Sequence, residues 1–387
     1  MKVGVIGGGV AGTAAAWAAR RAGADVVMTF DRPGASSLYA GALDLSPWDA
    51  AVDARVDPDV LAFATAFEAW SVGTKSARIA THEGVLRAAR GIDSTLLDLA
   101  PLAGRTIGVV QAPIDGWNAR AVARSLSEAP WAIETKTRFE AVRVEAIVDE
   151  PEGRVPWFDI ALLHDHPDRA ARLAERLASA SASVDAWLLG GFIGTTPGAA
   201  ERLSALVGKP CGETTSPPGG PAGARFEASR DALLASLSIG LRRERIDSVT
   251  RRGTRFKLVG TSPESTDADS GFDAVVLATG GLVGGGIVLD PGDLVAEPPR
   301  FRSCVGADLL LGRGGRVLDH VSSLHGLDLL SLGMAALEQV GILSDGPAAR
   351  GGTGLLVAGD CVADRPRCAL EAARAGIAAA RSATSAR

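Results

Sequence analysis

The sequence has 387 residues, of which 47% are hydrophobic and 22% charged, and its formal net charge is −5. This length accommodates two domains of ordinary size, and the acidic balance provides no basic field for nucleic acid. The four cysteines form no C-x-x-C pair, which predicts neither a metal site nor disulfides and favours a reducing cytoplasm. The longest uncharged run after the N-terminus, residues 274–289, is too short and too rich in glycine to span a bilayer.

The first 31 residues predict a strand, a glycine turn, a helix and a second strand. Gly7, Gly9 and Gly12 have the spacing of a dinucleotide-binding turn, and Val10 and Ala11 lie between them. In such a turn the first glycine permits the bend, the second admits a pyrophosphate, and the third lets the helix pack closely on the strand. The N–H groups at the helix N-terminus would then bind the pyrophosphate.

Two features of this segment need interpretation. A signal peptide is the alternative for residues 3–19, but five glycines interrupt the apolar stretch and the basic region before it is a single Lys2. The acid that holds a ribose hydroxyl is expected near Phe30, whereas Asp31 comes one position late. Residues 32–48, which include Arg32, Ser36, Ser37, Gly41 and Ala42, predict either a loop against a buried ligand or an ordinary surface loop.

The middle of the chain predicts an inserted α/β unit. Residues 50–69 favour a helix and residues 78–90 a turn between short strands. Strands at 106–110, 133–139 and 185–189 alternate with helices at 118–126, 168–178 and 198–207. Such alternation is typical of a mostly parallel sheet. We expect the inserted domain at residues 104–211, and a discontinuous domain made of residues 1–103 and 212–387.

After the insertion, the sequence predicts a helix at 226–237, and two antiparallel strands at 246–250 and 255–259 joined by a turn at 261–270. The arginine-rich stretch 242–245 is interpreted as a solvated strand edge. An apolar strand then ends in Ala-Thr-Gly-Gly, which places Thr279 and Gly280 where a side chain would collide with a dinucleotide.

Near the C-terminus, a strand ends in Gly359 and Asp360, followed by a helix at 366–380. The Asp360 carboxylate can accept a hydrogen bond from a ribityl hydroxyl, and the helix N-terminus can stabilise negative charge on a reduced flavin. The order of the three signals predicts one flavin held between distant chain ends. The fold class is therefore α/β, with a Rossmann-like FAD-binding domain assembled from N- and C-terminal segments.

The chain resembles the anaerobic glycerol-3-phosphate dehydrogenase family, and within it the flavoprotein component that is described as carrying FMN. The resemblance is carried by the Gly-Gly-Gly-x-Ala-Gly turn at 7–12, by Ser-Leu-x-x-Gly-Ala-Leu-Asp-Leu at 37–45, and by Gly-Val-Leu-Arg at 84–87. Further similar segments are 107–110, 209–211, 217–225, 274–286, 341–345 and 355–363. The stretch Arg365–Glu371 departs from the family's glycine-rich loop.

The resemblance implies a flavin-dependent dehydrogenase that oxidises sn-glycerol 3-phosphate to dihydroxyacetone phosphate, with partner oxidoreductase subunits and a peripheral place at the inner membrane through a partner. Although the family is described with FMN, the glycine turn is built for a pyrophosphate, which favours FAD. A dehydrogenase needs a base and an anion clamp. The candidate bases are His82, His320 and His325. The candidate clamps are Arg87 and Arg225, with surface ion pairs as the alternative.

His164 and His166 are interpreted as solvated histidines on a polar surface. Three functions stay open: a flavin-dependent dehydrogenase of a small anionic alcohol, a flavin-binding subunit that only relays electrons or supports assembly, and a stand-alone FAD oxidoreductase with another substrate.

Overall fold

The computed structural model describes residues 1–46, 55–112, 114, 116–144, 156–180, 183–261, 271–290, 300–305, 309–313, 316–317, 338–351 and 354–385. The helices are α1 (Val10–Arg21), α2 (Pro58–Ala66), α3 (Ala119–Glu128), α4 (Pro130–Thr135), α5 (Trp157–His164), α6 (Pro167–Ser179), α7 (Ala199–Val207), α8 (Pro221–Ser236) and α9 (Ala369–Ser385). In this part of the chain no helix is long and apolar enough to cross a membrane.

The strands are β1 (Lys2–Ile6), β2 (Asp25–Thr29), β3 (Ala42–Leu43), β4 (Trp70–Ser71), β5 (Ala77–Ala80), β6 (Leu86–Ala89), β7 (Gly91–Asp93), β8 (Thr106–Gln111), β9 (Arg138–Arg143), β10 (Ala186–Leu189), β11 (Cys211–Glu213), β12 (Gly240–Arg242), β13 (Ile246–Arg252), β14 (Arg255–Gly260), β15 (Ala274–Leu277), β16 (Ile287–Asp290), β17 (Arg300–Ser303), β18 (Leu311–Arg313), β19 (Arg316–Val317), β20 (Val340–Ile342), β21 (Ser344–Asp345), β22 (Ala348–Ala349) and β23 (Leu356–Val357).

A seven-stranded sheet joins the two ends of the chain. Its order is β12-β2-β1-β15-β23-β22-β21, and the first five strands are parallel. Val5 of β1 lies between Met28 of β2 and Val276 of β15. All three side chains are fully buried, which explains why these strands read as continuous apolar runs. This sheet confirms the predicted α/β class and its assembly from both ends of the chain.

Helices α1 and α9 pack against each other at very short range. A Cβ at Gly376 of α9 would overlap the Ala11 carbonyl oxygen of α1, and one at Gly359 would come within 2.6 Å of the Ala11 side chain. Small residues permit this approach, and the Ala-rich composition of both helices follows from it. The contact places the middle of α9, and the Gly359 turn ahead of it, beside the first turn of α1.

A second, four-stranded sheet has the order β11-β10-β8-β9 and is parallel throughout. It has its own apolar core, in which Trp187 of β10 is fully buried. Gly108 of β8 lies under that indole ring, and a Cβ there would be only 2.7 Å from it. The parallel order agrees with the predicted inserted unit. Strand β11 runs to Glu213, two residues past the predicted boundary, and the boundaries themselves remain predictions.

Some local predictions differ from the structure. Residues 133–139 were expected as one strand, but α4 continues to Thr135 and β9 begins at Arg138. The left-handed Lys136 (φ 58°) ends α4 between them. The helix predicted at 50–69 is described only as α2, where Pro58 occupies the first turn and the Asp57 carboxylate caps the Asp59 N–H. The turn that joins the two antiparallel strands was predicted at 261–270, but β13 and β14 are joined directly by Gly253 and Thr254, with Gly253 at φ 61°. Residues 47–54 and 262–270 lie outside the described residues.

Candidate functional site

A cavity with a volume of about 530 Å³ lies at the carboxyl edge of the main sheet. Its wall includes residues that follow four strands of this sheet: Gly7 after β1, Phe30 after β2, Ala278 after β15 and Asp360 after β23. Four neighbouring strands at about 4.8 Å spacing give the cavity a length of roughly 14 Å along the sheet. Ligands of open α/β sheets bind at this edge, and volumes of about 300–1,000 Å³ are usual for such sites.

The glycine turn forms the middle of the cavity. Gly7 has φ 121°, a left-handed conformation, and a Cβ there would overlap the Ala278 carbonyl oxygen. A Cβ at Gly12 would overlap the Gly7 carbonyl oxygen. At the start of α1, the Ser36 hydroxyl accepts from the Val10 N–H at 3.1 Å, and the first turn carries no acidic residue. This helix end therefore offers N–H groups and a positive dipole to an anion in the cavity.

One end of the cavity, the β2 end, consists of Phe30, Asp31, Arg32, Glu244 and Arg245. Asp31 pairs with Arg32 at 3.3 Å, and both side chains are substantially exposed. The prediction of a solvated strand edge agrees with the structure, since β12 is the edge strand of the sheet and the Arg243 and Arg245 side chains are 58% and 52% exposed; Glu244 and Arg245 also line the cavity. They follow β12, the parallel neighbour of β2, and so reach the same edge of the sheet. The β2 end contains two carboxylates where the sequence suggested only the displaced Asp31.

The opposite end of the cavity, the α9 end, consists of Asp44, Arg87, Arg367, Cys368 and Ala369. Arg87 binds the Asp44 carboxylate through both terminal nitrogens, at 2.6 Å from Nη2 and 3.2 Å from Nη1, and both side chains are mostly but not fully buried. The Asp44 carbonyl oxygen also accepts from the Leu370 N–H at 3.1 Å, which ties it to the first turn of α9. Burial raises the pKa of Asp44, although Arg87 opposes this shift.

Two turns between these ends, and the Cys368 thiol at the α9 end, also bear on ligand binding. Gly280 has φ 82°, and the buried Thr279 hydroxyl has no hydrogen-bond partner among the residues described. Burial raises the pKa of Asp360. Burial and four surrounding carboxylates raise the pKa of Cys368 to about 12, so this thiol stays protonated at neutral pH.

The structure brings together eleven of the fifteen residues predicted to bind a cofactor, namely Gly7, Gly9, Val10, Ala11, Asp31, Arg32, Ser36, Ala42, Thr279, Gly280 and Asp360. The other four lie behind the wall. Gly12 and Gly359 allow close packing of α1, Gly41 packs against Leu96, and the Ser37 carbonyl oxygen packs against Gly223 of α8. Their contribution is to shape the cavity, and a role in binding stays a prediction for all fifteen.

Arg225 does not lie where the predicted anion clamp would need to be. Its guanidinium is fully buried and donates to Asp93 at 3.0 Å, to Glu213 at 2.8 Å and to the Gly194 carbonyl oxygen at 2.6 Å. It joins α8, β7 and β11, so neither the clamp nor the alternative surface ion pair is correct. One guanidinium cannot neutralise two carboxylates, and burial raises the pKa of Glu213 to about 7.

The histidines do not supply a base in the described part of the cavity. His320 and His325 lie outside the described residues. His82 is 6.2 Å from the Trp157 ring, on the side of the second sheet, and does not line the cavity. His166 is exposed as expected, but His164 is buried and its Nδ1 lies 2.7 Å from the Phe192 carbonyl oxygen, so its predicted solvation was wrong.

These observations fit a dinucleotide that carries a pyrophosphate. The glycine turn leaves no room for side chains, the α1 N-terminus is positive, and the cavity continues on both sides of it. Sequence reasoning missed Asp44, Tyr39, Glu244 and Cys368, which all line the wall. Asp44 had a signal, since it lies in the segment 37–45 that carries part of the family resemblance.

In the comparisons with known proteins, one family model matches a short segment of this chain. The model of the family described as glucose inhibited division protein A matches residues 2–43, which are 42 of the 387 residues. The matched segment runs from β1 to β3 and includes the glycine turn. The sequence has no significant match among curated proteins.

Several solved structures are similar at low identity. Iminodiacetate oxidase from Chelativorans sp. BNC1 is 15% identical, with 98% of this chain and 94% of that chain covered and a TM-score of 0.31. Sdh1 of Mycobacterium smegmatis, solved in complex with UQ1, is 12% identical, with 99% and 68% covered and a TM-score of 0.37.

The 3-ketosteroid delta1-dehydrogenase of Sterolibacterium denitrificans is 13% identical, with 72% and 47% covered and a TM-score of 0.29. The chain therefore spans less than half the length of that dehydrogenase. All three TM-scores are below 0.5, so these likenesses carry no argument about the function of this chain.

Proposed function

We propose that this protein is an FAD-dependent oxidoreductase. The observation that carries the proposal is the single cavity that joins the Gly7–Gly12 turn, the Thr279–Gly280 turn and the N-terminus of α9 along one sheet edge. A dinucleotide with its pyrophosphate at α1 would extend its adenosine toward the β2 end and its flavin toward the α9 end. Bound FAD supplies a two-electron acceptor, and the chain supplies binding, orientation and proton handling.

FAD is favoured over FMN by the shape of the site. FMN has one phosphate and no adenosine, so it would leave the β2 end of the cavity empty and use only part of the α1 N-terminus. The groups at that end, Asp31, Arg32, Glu244 and Arg245, suit a sugar hydroxyl and a polar base.

For the substrate, we propose a small anionic secondary alcohol, with sn-glycerol 3-phosphate as the first candidate. Support comes from the resemblance of segment 37–45 to the dehydrogenase family and from the position of Asp44 and Arg87 at the α9 end. A partner oxidoreductase subunit that receives the electrons, and attachment to a membrane through that partner, belong to the same proposal.

The second candidate is a flavin subunit that relays electrons or supports assembly while its partner handles the substrate. Two observations favour it: the described cavity wall contains no histidine, and Arg87 is already paired with Asp44. A stand-alone FAD oxidoreductase with another substrate remains the third.

Anaerobic mixing of the isolated, flavin-loaded chain with sn-glycerol 3-phosphate separates these candidates. Loss of the oxidised-flavin absorbance on mixing is the result expected for a dehydrogenase. A flavin that dithionite bleaches but glycerol 3-phosphate does not, until a partner is added, would support the relay subunit and contradict substrate oxidation by this chain.

A further inference from the structure

Oxidation of an alcohol requires a group that accepts the hydroxyl proton, and the histidines do not provide one in the described cavity. The lining groups that could do so are Asp31, Asp44, Glu244, Asp360, Tyr39, Cys304 and Cys368. Burial raises the pKa of Tyr39 and of both thiols, so none of these three is in its basic form at neutral pH. The four carboxylates remain.

Position separates the four carboxylates. Asp31 and Glu244 lie at the β2 end, beside residues that follow β2 and β12, and so on the adenosine side of the α1 N-terminus. Asp360 follows β23 and is the residue expected to bind a ribityl hydroxyl. Asp360 shares the α9 end, where Arg367 acts on its pKa, so its expected ribityl contact is what sets it apart. Asp44, among residues of β6 and α9, is the carboxylate left for the substrate.

Asp44 is also held in one orientation from several sides. Arg87 of β6 donates hydrogen bonds to its carboxylate from two nitrogens, and the Arg90 N–H donates to the same carboxylate. Its backbone is tied to Leu370 of α9. The Asp44 side chain is 22% exposed, whereas the side chains of Asp93 and Glu213, in the buried cluster with Arg225, are not exposed at all. It is therefore both fixed and accessible, which a proton acceptor requires.

We propose that Asp44 is the proton acceptor for substrate oxidation at the α9 end, with Arg87 as its positioning residue. This inference rests on the proposed function. Oxidation of a secondary alcohol to a ketone removes one hydrogen from carbon with its electron pair, which bound FAD accepts, and one proton from oxygen, which Asp44 accepts. Solvent then takes the proton from the carboxyl group, because Asp44 is partly exposed.

The pair also controls the charge that an anionic group meets in the cavity. With Asp44 ionised, its negative charge offsets the Arg87 guanidinium at 2.6 Å. When Asp44 takes up a proton or becomes an amide, the guanidinium loses the carboxylate that it now binds. Anion binding at the α9 end should then become stronger, independently of any turnover.

The experiment compares Asp44→Asn and Asp44→Glu with the wild type, and uses Asp345→Asn as a matched control. Asp345 also pairs with an arginine, Arg350 at 2.8 Å, but this pair is exposed and outside the cavity. The first measurement is FAD affinity, from fluorescence titration of each apoprotein. The second is the rate of flavin reduction by sn-glycerol 3-phosphate between pH 6 and 9. The third is equilibrium binding of inorganic phosphate to the loaded protein.

We expect FAD affinity within about twofold of wild type for all variants. Reduction should be about a hundredfold slower in Asp44→Asn, the usual scale for losing a general base, and the pH dependence that ionisation of Asp44 gives the wild-type rate should be absent. Asp44→Glu should restore most of the rate and the pH dependence. Inorganic phosphate should bind more tightly to Asp44→Asn than to wild type, and Asp345→Asn should match wild type throughout.

Each failure has a distinct meaning. If wild type and Asp44→Asn are reduced at the same rate with the same pH profile, Asp44 is not the acceptor and the proposed function stands. If wild type binds FAD but glycerol 3-phosphate never reduces it, the acceptor role and the substrate are both overturned, and FAD binding stands. If wild type binds no flavin, the proposed function itself is wrong.

Discussion

The replacement Arg225→Met tests whether this arginine holds the two units of the fold together. Met keeps much of the side-chain length but removes the charge, leaving the fully buried carboxylates of Asp93 and Glu213 without their cation. Removing one partner of a buried ion pair costs about 3–5 kcal/mol. Because domains of this kind are stable by about 5–15 kcal/mol, this single change should remove a large share of the free energy of unfolding.

Urea unfolding at pH 8 and pH 5.5, followed by tryptophan fluorescence, measures that cost. The Glu213 carboxylate, whose pKa burial already raises to about 7, should protonate still more readily without its cation, and uptake beyond that of wild type relieves the unpaired charge at the lower pH. The penalty should shrink there by about 1.4 kcal/mol per pH unit for each proton taken up. The control Arg350→Met breaks an exposed ion pair and should cost about 0–1 kcal/mol at either pH. A penalty below about 1 kcal/mol at pH 8, or one that is equal at both pH values, would refute the reasoning.

Three further predictions concern the pH dependence, the glycine turn and one thiol. Because the folded-state pKa of Glu213 is raised from 4.5 to about 7, the folded state holds this proton longer than the unfolded state does. The free energy of unfolding of wild type relative to Glu213→Gln should therefore fall as pH rises from 4.5 to 7 and stay level above and below that window; a rise there would contradict the assignment. Gly12→Ala should abolish flavin retention on a desalting column, because its Cβ would overlap the Gly7 carbonyl oxygen. Gly240→Ala should retain flavin like wild type, because its Cβ would come no closer than 3.6 Å to any atom beyond the adjacent residues. Cys368 has a pKa of about 12, so about one thiol in 10,000 is ionised at pH 8, and iodoacetamide should label it at least a hundredfold more slowly in the folded than in the urea-unfolded protein; equal rates would exclude this environment.

Local sequence patterns predicted most of the fold that positions the cavity. The strand–turn–helix–strand order of residues 1–31 was readable because its glycines and apolar runs act over a few residues, and β1, α1 and β2 match it closely. The Thr279–Gly280 and Gly359–Asp360 turns were placed in the same way. Their convergence followed from the rule that parallel strands present their carboxyl ends at one edge.

The site residues that sequence reasoning missed depend on contacts between distant parts of the chain. Arg225 was predicted to be an anion clamp because a guanidinium suits phosphate and the residue lies in a segment similar to the family. Its burial could not be predicted, since its partner Asp93 is 132 residues away and no pattern near Arg225 indicates it. Asp44 belonged to the segment 37–45 that resembles the dehydrogenase family, but only the fold brings Arg87, 43 residues later, onto its carboxylate. Glu244 and Arg245 lie after an edge strand, as predicted, but nothing local shows that this strand adds beside β2 and so brings them to the cavity.

The central claim is that the cavity between the β2 end and the α9 end holds FAD. Heat denaturation of the purified, washed protein, followed by chromatography of the supernatant against FAD and FMN standards, tests it most directly. We predict one FAD released per chain from wild type and almost none from Gly12→Ala. Release of FMN in place of FAD would contradict the assignment of the β2 end to adenosine, and a colourless protein that releases no flavin and binds none when FAD is added would contradict the claim as a whole.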